Sequence, residues 1–323
     1  MDDRPANPSP SADAHGGATA TAGDLVRLAR PTHWIKNGIV LLPVVFARRV
    51  ADPSAWLQAG LATVAFCLAS SAVYAMNDIL DRRRDRLHPA KRNRPVAAGR
   101  VSVRAAGIEA AVLALAGLGV AVAANVLVVA SVGAFLLLQA AYSAGLKQRM
   151  LVDVICIALG FVLRAMTGAL AIRADVSPWL VVCTFTLCLF MGFSKRRNEI
   201  ASLTDLAEAA RHRPTLVGYT PELLTHLITL SGGLAIVSYL LYASSPRTIG
   251  EFGTPYLVYT LPLVVYGVCR FAMLAMQGAY SDPMHLILRD RPFQVNLALW
   301  FLLAVAIIFR GEAIEAWLAG MQE

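Results

Sequence analysis

Charged residues are scarce in this chain of 323 amino acids, of which 15% are Asp, Glu, Lys or Arg and 57% are hydrophobic. Soluble domains carry about 25% charged residues, and a soluble chain with so few would expose a large apolar surface. The composition therefore excludes an ordinary soluble globular protein. It indicates instead a protein that crosses the membrane several times.

Paired cysteines and the common motifs for binding nucleotides or zinc are also missing. The five cysteines lie singly within apolar runs, with no Cys-x-x-Cys pair and no Cys/His zinc spacing. They are interpreted as small buried hydrophobic residues without a disulfide role. The chain has no P-loop, no His-Glu-x-x-His, no Gly-x-Ser-x-Gly and no Rossmann fingerprint. These absences argue against the enzyme classes that depend on those motifs.

The first 24 residues differ in composition from the rest of the chain. They are rich in Ala, Pro, Ser, Asp and Gly and contain no apolar core of a signal peptide. We therefore expect 1–24 to be a disordered cytoplasmic tail. Residues 25–323 are expected to form a single transmembrane domain.

Nine apolar segments follow the tail, and their length predicts helices that cross the membrane. They run approximately over 33–47, 55–77, 103–123, 126–144, 151–172, 178–195, 223–244, 255–276 and 293–310. The first segment is the weakest, because Pro43 interrupts it. We therefore predict an all-α protein with about nine transmembrane helices.

The distribution of basic residues predicts how these segments are oriented. With the N-terminus in the cytoplasm, 22 of the 29 Lys and Arg residues fall in inside segments and five in outside segments. This asymmetry follows the positive-inside rule. The long connections are also inside, so any chemistry is expected on the cytoplasmic face.

The polar stretch after the second segment is the most informative about function. Asn77, Asp81 and Asp85 are spaced i, i+4 and i+8, so on a helix they lie near one face, while Asp78 points elsewhere. Such oxygen ligands suit Mg²⁺, which usually takes one or two carboxylates together with waters and substrate phosphates. The basic loop that follows suits an anion carrying the metal. The simpler alternative is a helix end with a solvated charge run.

Further polar clusters at 30–37, 142–147 and 194–199 lie on the same predicted face. Asp153 begins the fifth segment, and Arg164 follows eleven residues later, about 20° from the same helix face and about 16 Å deeper. A lone arginine within a membrane helix is costly, so we expect a polar cavity or a partner. The structural alternative is pairing with an Asp or a backbone carbonyl.

These motifs resemble the UbiA-type intramembrane prenyltransferase superfamily. Its Asn-x-x-x-Asp-x-x-x-Asp motif matches Asn77, Asp81 and Asp85, and 94–102 resembles its R-P-x-x-x-G-x-x-S run. Within the superfamily the sequence is more similar to the decaprenyl-phosphate phosphoribosyltransferases. The matching pieces are R-P-x-x-W-x-K-N at 30–37, S-S-A-V-Y-x-x-N-D at 70–78, D-R-x-H-P-x-K-x-x-R-P at 85–95, Y-S-x-x-L-K at 142–147, G-F-V-L-R at 160–164 and K-R-R-x-E at 195–199.

The resemblance implies a UbiA-like fold, with about nine helices around a central cavity and 25–323 as the catalytic domain. It implies a Mg²⁺-dependent transfer of 5-phosphoribosyl from 5-phosphoribosyl 1-diphosphate (PRPP) to a polyprenyl (decaprenyl) phosphate. Diphosphate is released, and the product lipid feeds cell-wall arabinan synthesis. The expected location is the inner cell membrane, with the N-terminus and active site cytoplasmic. No nucleic-acid partner is expected.

The resemblance also assigns candidate residues. Asn77, Asp81 and Asp85 are the candidate catalytic and magnesium-binding residues. The candidate substrate-binding residues have polar side chains in or near the matching motifs: Lys36, Tyr74, Asp78, Arg86, His88, Lys91, Arg94, Tyr142, Lys147, Asp153, Arg164, Lys195 and Arg196. The second motif departs from the superfamily, because Arg164 follows Asp153 where a second carboxylate would be expected. This argues against a second magnesium held entirely by carboxylates and fits a donor with an additional phosphate.

Two other functions remain as alternatives. An enzyme of the same fold would transfer a prenyl group from a prenyl diphosphate to an aromatic or haem-like acceptor. A transporter would also place charges within the membrane, but no inverted repeat is evident and most charges lie at cytoplasmic helix ends. Small residues such as Gly160 and Gly168 would allow the close packing of a homo-oligomer, for which a trimer is a guess without support in the sequence.

Overall fold

The computed structural model describes residues 20–87, 91–201, 218–278 and 283–320. Every regular element in these ranges is a helix, which confirms the predicted all-α class. The α-helices are α1 (Ala22–Ala29), α2 (Leu42–Phe46), α3 (Pro53–Leu80), α4 (Arg82–Leu87), α5 (Val103–Ala124), α6 (Val126–Ala144), α7 (Val152–Ala171), α8 (Pro178–Ala201), α9 (Pro221–Ala243), α10 (Pro246–Phe252), α11 (Leu261–Met276), α12 (Pro283–Arg289) and α13 (Arg291–Gly320). The 3₁₀ helices are Pro31–Leu41, Leu146–Gln148 and Tyr256–Thr260.

Eight helical segments in the described ranges are long and apolar enough to cross a membrane. Helices α3, α5, α6, α7, α8 and α9 supply six, and Tyr256–Met276 and Arg291–Gly311 supply the other two. Each corresponds to one of the predicted segments. The chain is therefore a multi-pass membrane protein.

The first predicted segment, 33–47, has a different structure from the other eight. It forms the 3₁₀ helix Pro31–Leu41, followed by the five-residue helix α2 with Pro43 in its first turn. Proline lacks the N–H that a continuous α-helix would need at this position. A Cβ atom on Gly168 of α7 would lie 2.1 Å from the carbonyl oxygen of Val40, so α7 packs closely here because residue 168 has no side chain. Gly168 therefore serves packing within the chain.

Small residues also bring α3 and α5 together. A Cβ atom on Gly117 would lie 3.0 Å from the Ala65 carbonyl oxygen, and Ala62, Ala65 and Ala69 are fully buried in the core that these helices share. In a membrane, helix association depends mainly on close van der Waals packing, which small side chains permit. This packing fixes the position of the α3 end, where the polar motif begins.

The polar residues converge at one end of the bundle, where α3, α6 and α8 end and α5, α7 and α9 begin. Helix α1 packs against α3 and α5 at this end and begins at Ala22, within the segment predicted as a tail. Its Asp24 carboxylate accepts a hydrogen bond from Arg100 Nε at 2.9 Å. Hydrogen bonds from Thr21 and Arg100 lower the pKa of Asp24 below its ordinary value. The N-terminal residues from 20 onward are thus part of the folded domain.

Candidate active site

The three residues of the first motif stay in register where α3 gives way to α4. The Asp81 N–H donates to the Asn77 carbonyl at 2.9 Å, and the Asp85 N–H donates to the Asp81 carbonyl at 2.9 Å. The helical spacing predicted for these three residues is therefore preserved, although α3 ends at Leu80. We call these residues, together with Asp78 and the side chains that contact them, the first polar group.

Two members of the first polar group contact the end of α6 and the loop that follows it. Lys147 Nζ donates to Asp81 Oδ1 at 2.7 Å, and Ser143 Oγ donates to Asn77 Oδ1 at 2.5 Å. The Lys147 and Asp81 side chains are 12% and 28% exposed, so water reaches both. The resemblance placed Asp81 and Lys147 in separate motifs, and the structure brings them together.

Asp78 has a more buried environment than Asp81. Its side chain is 1% exposed, and its Oδ1 atom accepts hydrogen bonds from Arg30 and, at 3.4 Å, from Arg94. Arg94 also donates to Asp85 Oδ2 at 2.7 Å, so one guanidinium bridges two carboxylates. Asp78 Oδ2 is buried and accepts no hydrogen bond from the described residues. Asp78 thus has different partners from Asp81, and Arg94 links it to Asp85.

Arg30 reaches this network from the segment between α1 and the first 3₁₀ helix. It has a positive φ of 51°, which is uncommon for a residue other than glycine. Its guanidinium lies over the Tyr74 ring, 5.2 Å from the centroid, and this ring also packs against His33. Burial lowers the pKa of Arg30, while the Asp78 carboxylate acts in the opposite direction.

A second polar group joins α7, α8 and Tyr219, which lies just before α9. Arg196 Nε lies 2.8 Å from Asp153 Oδ2, and the side chains are 1% and 0% exposed. Arg196 also pairs with Glu199 one turn further along α8. The Tyr219 hydroxyl donates to Asp153 Oδ1 at 3.1 Å and accepts from the Leu151 N–H at 2.8 Å. Burial is the main cause that raises the pKa of Tyr219 to about 12.

Arg164 lies apart from both groups, inside the bundle. Its Nε donates to Asn37 Oδ1 at 2.7 Å, and its other nitrogens donate to the Gly160 carbonyl at 2.9 Å and to Ser70 Oγ at 3.4 Å. The guanidinium also lies 4.6 to 5.9 Å from the centroids of three phenylalanine rings, those of Phe66, Phe135 and Phe161. The observed partners of Arg164 are therefore neutral groups. Asp153, which lies near the same helix face, pairs with Arg196 and not with Arg164.

The other predicted substrate-binding residues lie in several elements, and Lys195 is next to Arg196 of the second polar group in α8. Arg86 in α4 donates to the Ala97 carbonyl at 3.0 Å and so holds the loop after α4. Lys36, Lys91, Tyr142 and Lys195 are half-buried. His88 lies outside the described residues.

Sequence reasoning missed four contacts of the two groups. Arg30, Ser143 and Glu199 belong to motifs quoted for the resemblance, R-P-x-x-W-x-K-N, Y-S-x-x-L-K and K-R-R-x-E, so a signal for each existed. Tyr219 lies just before α9 and belongs to no motif. Only the fold brings its hydroxyl to Asp153, 66 residues earlier in the chain.

The donor chemistry of the first polar group suits magnesium only in part. In the ranges that the structure describes, no three His, Cys, Asp or Glu side chains are grouped closely enough to hold a metal ion. Magnesium, however, usually takes only one or two protein carboxylates and completes its shell with water and substrate phosphates. The amide and carboxylate oxygens of Asn77, Asp81 and Asp85 fit that requirement.

Comparison with known proteins identifies the family. The model of the UbiA prenyltransferase family matches residues 38–287. The chain belongs to this family. A UbiA homologue from Archaeoglobus fulgidus, solved with GPP and Mg²⁺ bound, covers 90% of this chain and 99% of its own with a TM-score of 0.66 and 20% identity. This likeness confirms the UbiA fold.

Curated members of the UbiA family extend the comparison. The decaprenyl-phosphate phosphoribosyltransferase of Mycolicibacterium smegmatis is 33% identical over 85% of this chain and 89% of its own length. The enzyme of the same name from Corynebacterium glutamicum is 30% identical over 89% of this chain and 87% of its own. These relatives, like the family model, support a transferase rather than a transporter.

Proposed function

We propose that this UbiA-family transferase moves 5-phosphoribosyl from PRPP to decaprenyl phosphate and releases diphosphate at the cytoplasmic membrane face. The observation that carries the proposal is the similarity to relatives named for this reaction over 85% of the chain. The site is compatible with it, because every carboxylate of the first polar group pairs with a lysine or arginine that a phosphorylated donor could engage.

The basic residues of the first polar group would bind the donor's phosphates. Lys147 contacts Asp81, and Arg94 contacts Asp85. Arginine binds phosphate with two parallel hydrogen bonds, whereas lysine acts as a compact point charge. Both basic side chains are partly exposed, so a phosphate can reach them. Asp81 is also partly exposed, whereas Asp85 is only 5% exposed and would need another cation if Arg94 turned to the phosphate.

Asn77, Asp81 and Asp85 would hold the magnesium ion. When bound, the ion would neutralise negative charge on the departing diphosphate. The acceptor needs no strong general base, because a phosphate monoester is already ionised at neutral pH. Its oxygen forms the new bond to C1 of the ribose while the bond from C1 to diphosphate breaks. The chain's own contribution is then positioning and charge stabilisation.

The product, a polyprenyl phosphate carrying phosphoribose, would feed the synthesis of cell-wall arabinan. The resemblance to actinobacterial relatives supports this placement, and the positive-inside distribution supports an active site on the cytoplasmic side of the inner membrane.

The proposal is tested by transfer of radiolabel from PRPP into butanol-extractable lipid, with purified protein, decaprenyl phosphate and Mg²⁺. We expect labelled lipid with Mg²⁺ and none with EDTA. A parallel reaction supplies a prenyl diphosphate and 4-hydroxybenzoate. Turnover only in this second reaction would keep the fold and replace the proposed donor with a prenyl diphosphate.

A further inference from the structure

The loop over residues 145–151 carries Lys147 and ends in a strained residue. Leu151, directly before α7, has a φ of 66°, a value that is unfavourable for a bulky side chain. Such conformations persist only where the surrounding structure enforces them, and they are frequent at functional sites. A contact from the surrounding structure is therefore expected to hold Leu151 in this conformation.

Tyr219 provides this contact from a distant part of the sequence. Its side chain is 3% exposed, and its hydroxyl oxygen accepts the Leu151 N–H at 2.8 Å. The hydroxyl proton then points to Asp153 Oδ1 at 3.1 Å. Because burial raises the pKa of Tyr219 to about 12, the hydroxyl keeps this proton at physiological pH.

The contact is anchored on both sides. Asp153 is held by Arg196 at 2.8 Å, within a pair that is completely buried. Gly218 adds a second point of contact, because a Cβ atom at this position would lie 3.0 Å from the sulfur of Met150. The residue before Tyr219 thus packs against the residue before Leu151.

The geometry points to Tyr219 as a positioning residue for Lys147. We infer that its hydroxyl fixes the end of the 145–151 loop on the buried Asp153–Arg196 pair and thereby sets the position of the Lys147 ammonium beside Asp81. Leu151, which contacts the second polar group through Tyr219, is four residues after Lys147, which contacts the first polar group through Asp81. The inference rests on the proposed function in one respect, namely that Lys147 binds the donor.

The experiment compares Tyr219→Phe with Tyr239→Phe in the full-length protein. Tyr239 is a matched control, since it is also buried and its hydroxyl also bonds to two partners, Thr260 and Trp300 Nε1, away from both polar groups. Hydrogen–deuterium exchange is measured on peptides that cover 145–151. Steady-state kinetics with PRPP give kcat and KM separately.

For Tyr219→Phe we expect faster exchange in 145–151, and a fall in kcat/KM for PRPP of about tenfold, the effect of losing one hydrogen bond to a charged group. The fall should come mainly from KM, because the donor's binding residue is displaced while the reacting atoms are not. Tyr239→Phe should leave both readouts at the wild-type values.

Two results would overturn the inference. The first is unchanged exchange of 145–151 in Tyr219→Phe, which would show that the hydroxyl does not hold the loop. The second is faster exchange with unchanged kcat/KM, which would show that the loop does not position the donor. If the wild-type protein fails to use PRPP, the proposed function fails, and the exchange measurement alone decides whether Tyr219 holds the loop.

Discussion

The Asp81–Lys147 and Asp153–Arg196 pairs are alike in chemistry and differ in burial. The nitrogen–oxygen distances are 2.7 and 2.8 Å. The first pair is 28% and 12% exposed, whereas the second is 0% and 1% exposed. Separating a buried pair leaves a charge without solvation, while separating an exposed pair costs little.

The difference indicates two roles within one polar end of the bundle. In the proposed function, Asp81 would exchange Lys147 for a metal ion and Lys147 would exchange Asp81 for a phosphate, since both side chains are partly exposed. Asp153 and Arg196 cannot exchange partners at comparable cost, so they hold α7 and α8 in place. The predicted substrate contacts of Asp153 and Arg196 would require this pair to open.

The largest effect is expected for Asp81→Ala. We expect transfer to fall about a thousandfold or more, since the loss of a ligand to a catalytic cation removes several kcal/mol of charge stabilisation. The matched control is Asp52→Ala at the opposite end of the same helix α3, where Asp52 caps the first turn. It should lose about 1 kcal/mol of stability and keep its activity. Wild-type turnover by Asp81→Ala with Mg²⁺ would contradict the metal assignment.

Arg196→Met should produce the largest loss of stability. The Asp153 carboxylate would remain buried without its cation, which costs about 3–5 kcal/mol. Thermal unfolding in detergent measures the loss. The double variant Asp153→Leu/Arg196→Met removes both charges and should recover most of the stability. If the single and double variants unfold at the same temperature, the pair is not the structural anchor.

Arg94 provides an intermediate test, because its pair with Asp85 has one partly exposed member, Arg94 at 28%, and one buried member, Asp85 at 5%. Arg94→Lys keeps the charge but cannot bridge Asp78 and Asp85 in the same way. We expect KM for PRPP to rise about tenfold, the effect of one lost charge-assisted hydrogen bond, with a smaller change in kcat. Equal KM values for Arg94→Lys and the wild type would remove Arg94 from the donor site.

The smallest effect concerns the contact that holds helix α1. The pKa of Asp24 is lowered in the folded protein, so its charged form stabilises the fold above the ordinary value of 3.8, and this stabilisation is lost as the pH falls through the lowered pKa. We expect hydrogen exchange in α1, measured relative to the intrinsic exchange rate at the same pH, to become faster at low pH. Asp24→Asn should show the same rise at neutral pH, with little change in transfer. Slow exchange in Asp24→Asn would mean that Arg100 does not hold α1.

The sequence by itself determined the all-α membrane fold, eight of its spans and the register of Asn77, Asp81 and Asp85. These features depend on local physics, namely the length of apolar runs and the periodicity of a helix. The first predicted segment shows where such reasoning ends. Its length and hydrophobicity resemble a short span, but its structure as a 3₁₀ helix depends on Pro43 and on packing against Gly168.

Only the tertiary structure decided which charges are paired. The sequence places Asp153 and Arg164 near one helix face, yet Arg196 of α8 takes Asp153, and Arg164 is surrounded by Asn37, Ser70 and aromatic rings. The choice among several arginines depends on distances of a few ångströms between helices far apart in the chain. The role of Tyr219 could not be predicted from the sequence for the same reason. Its hydroxyl matters only because the fold places it beside the Leu151 N–H and the Asp153 carboxylate.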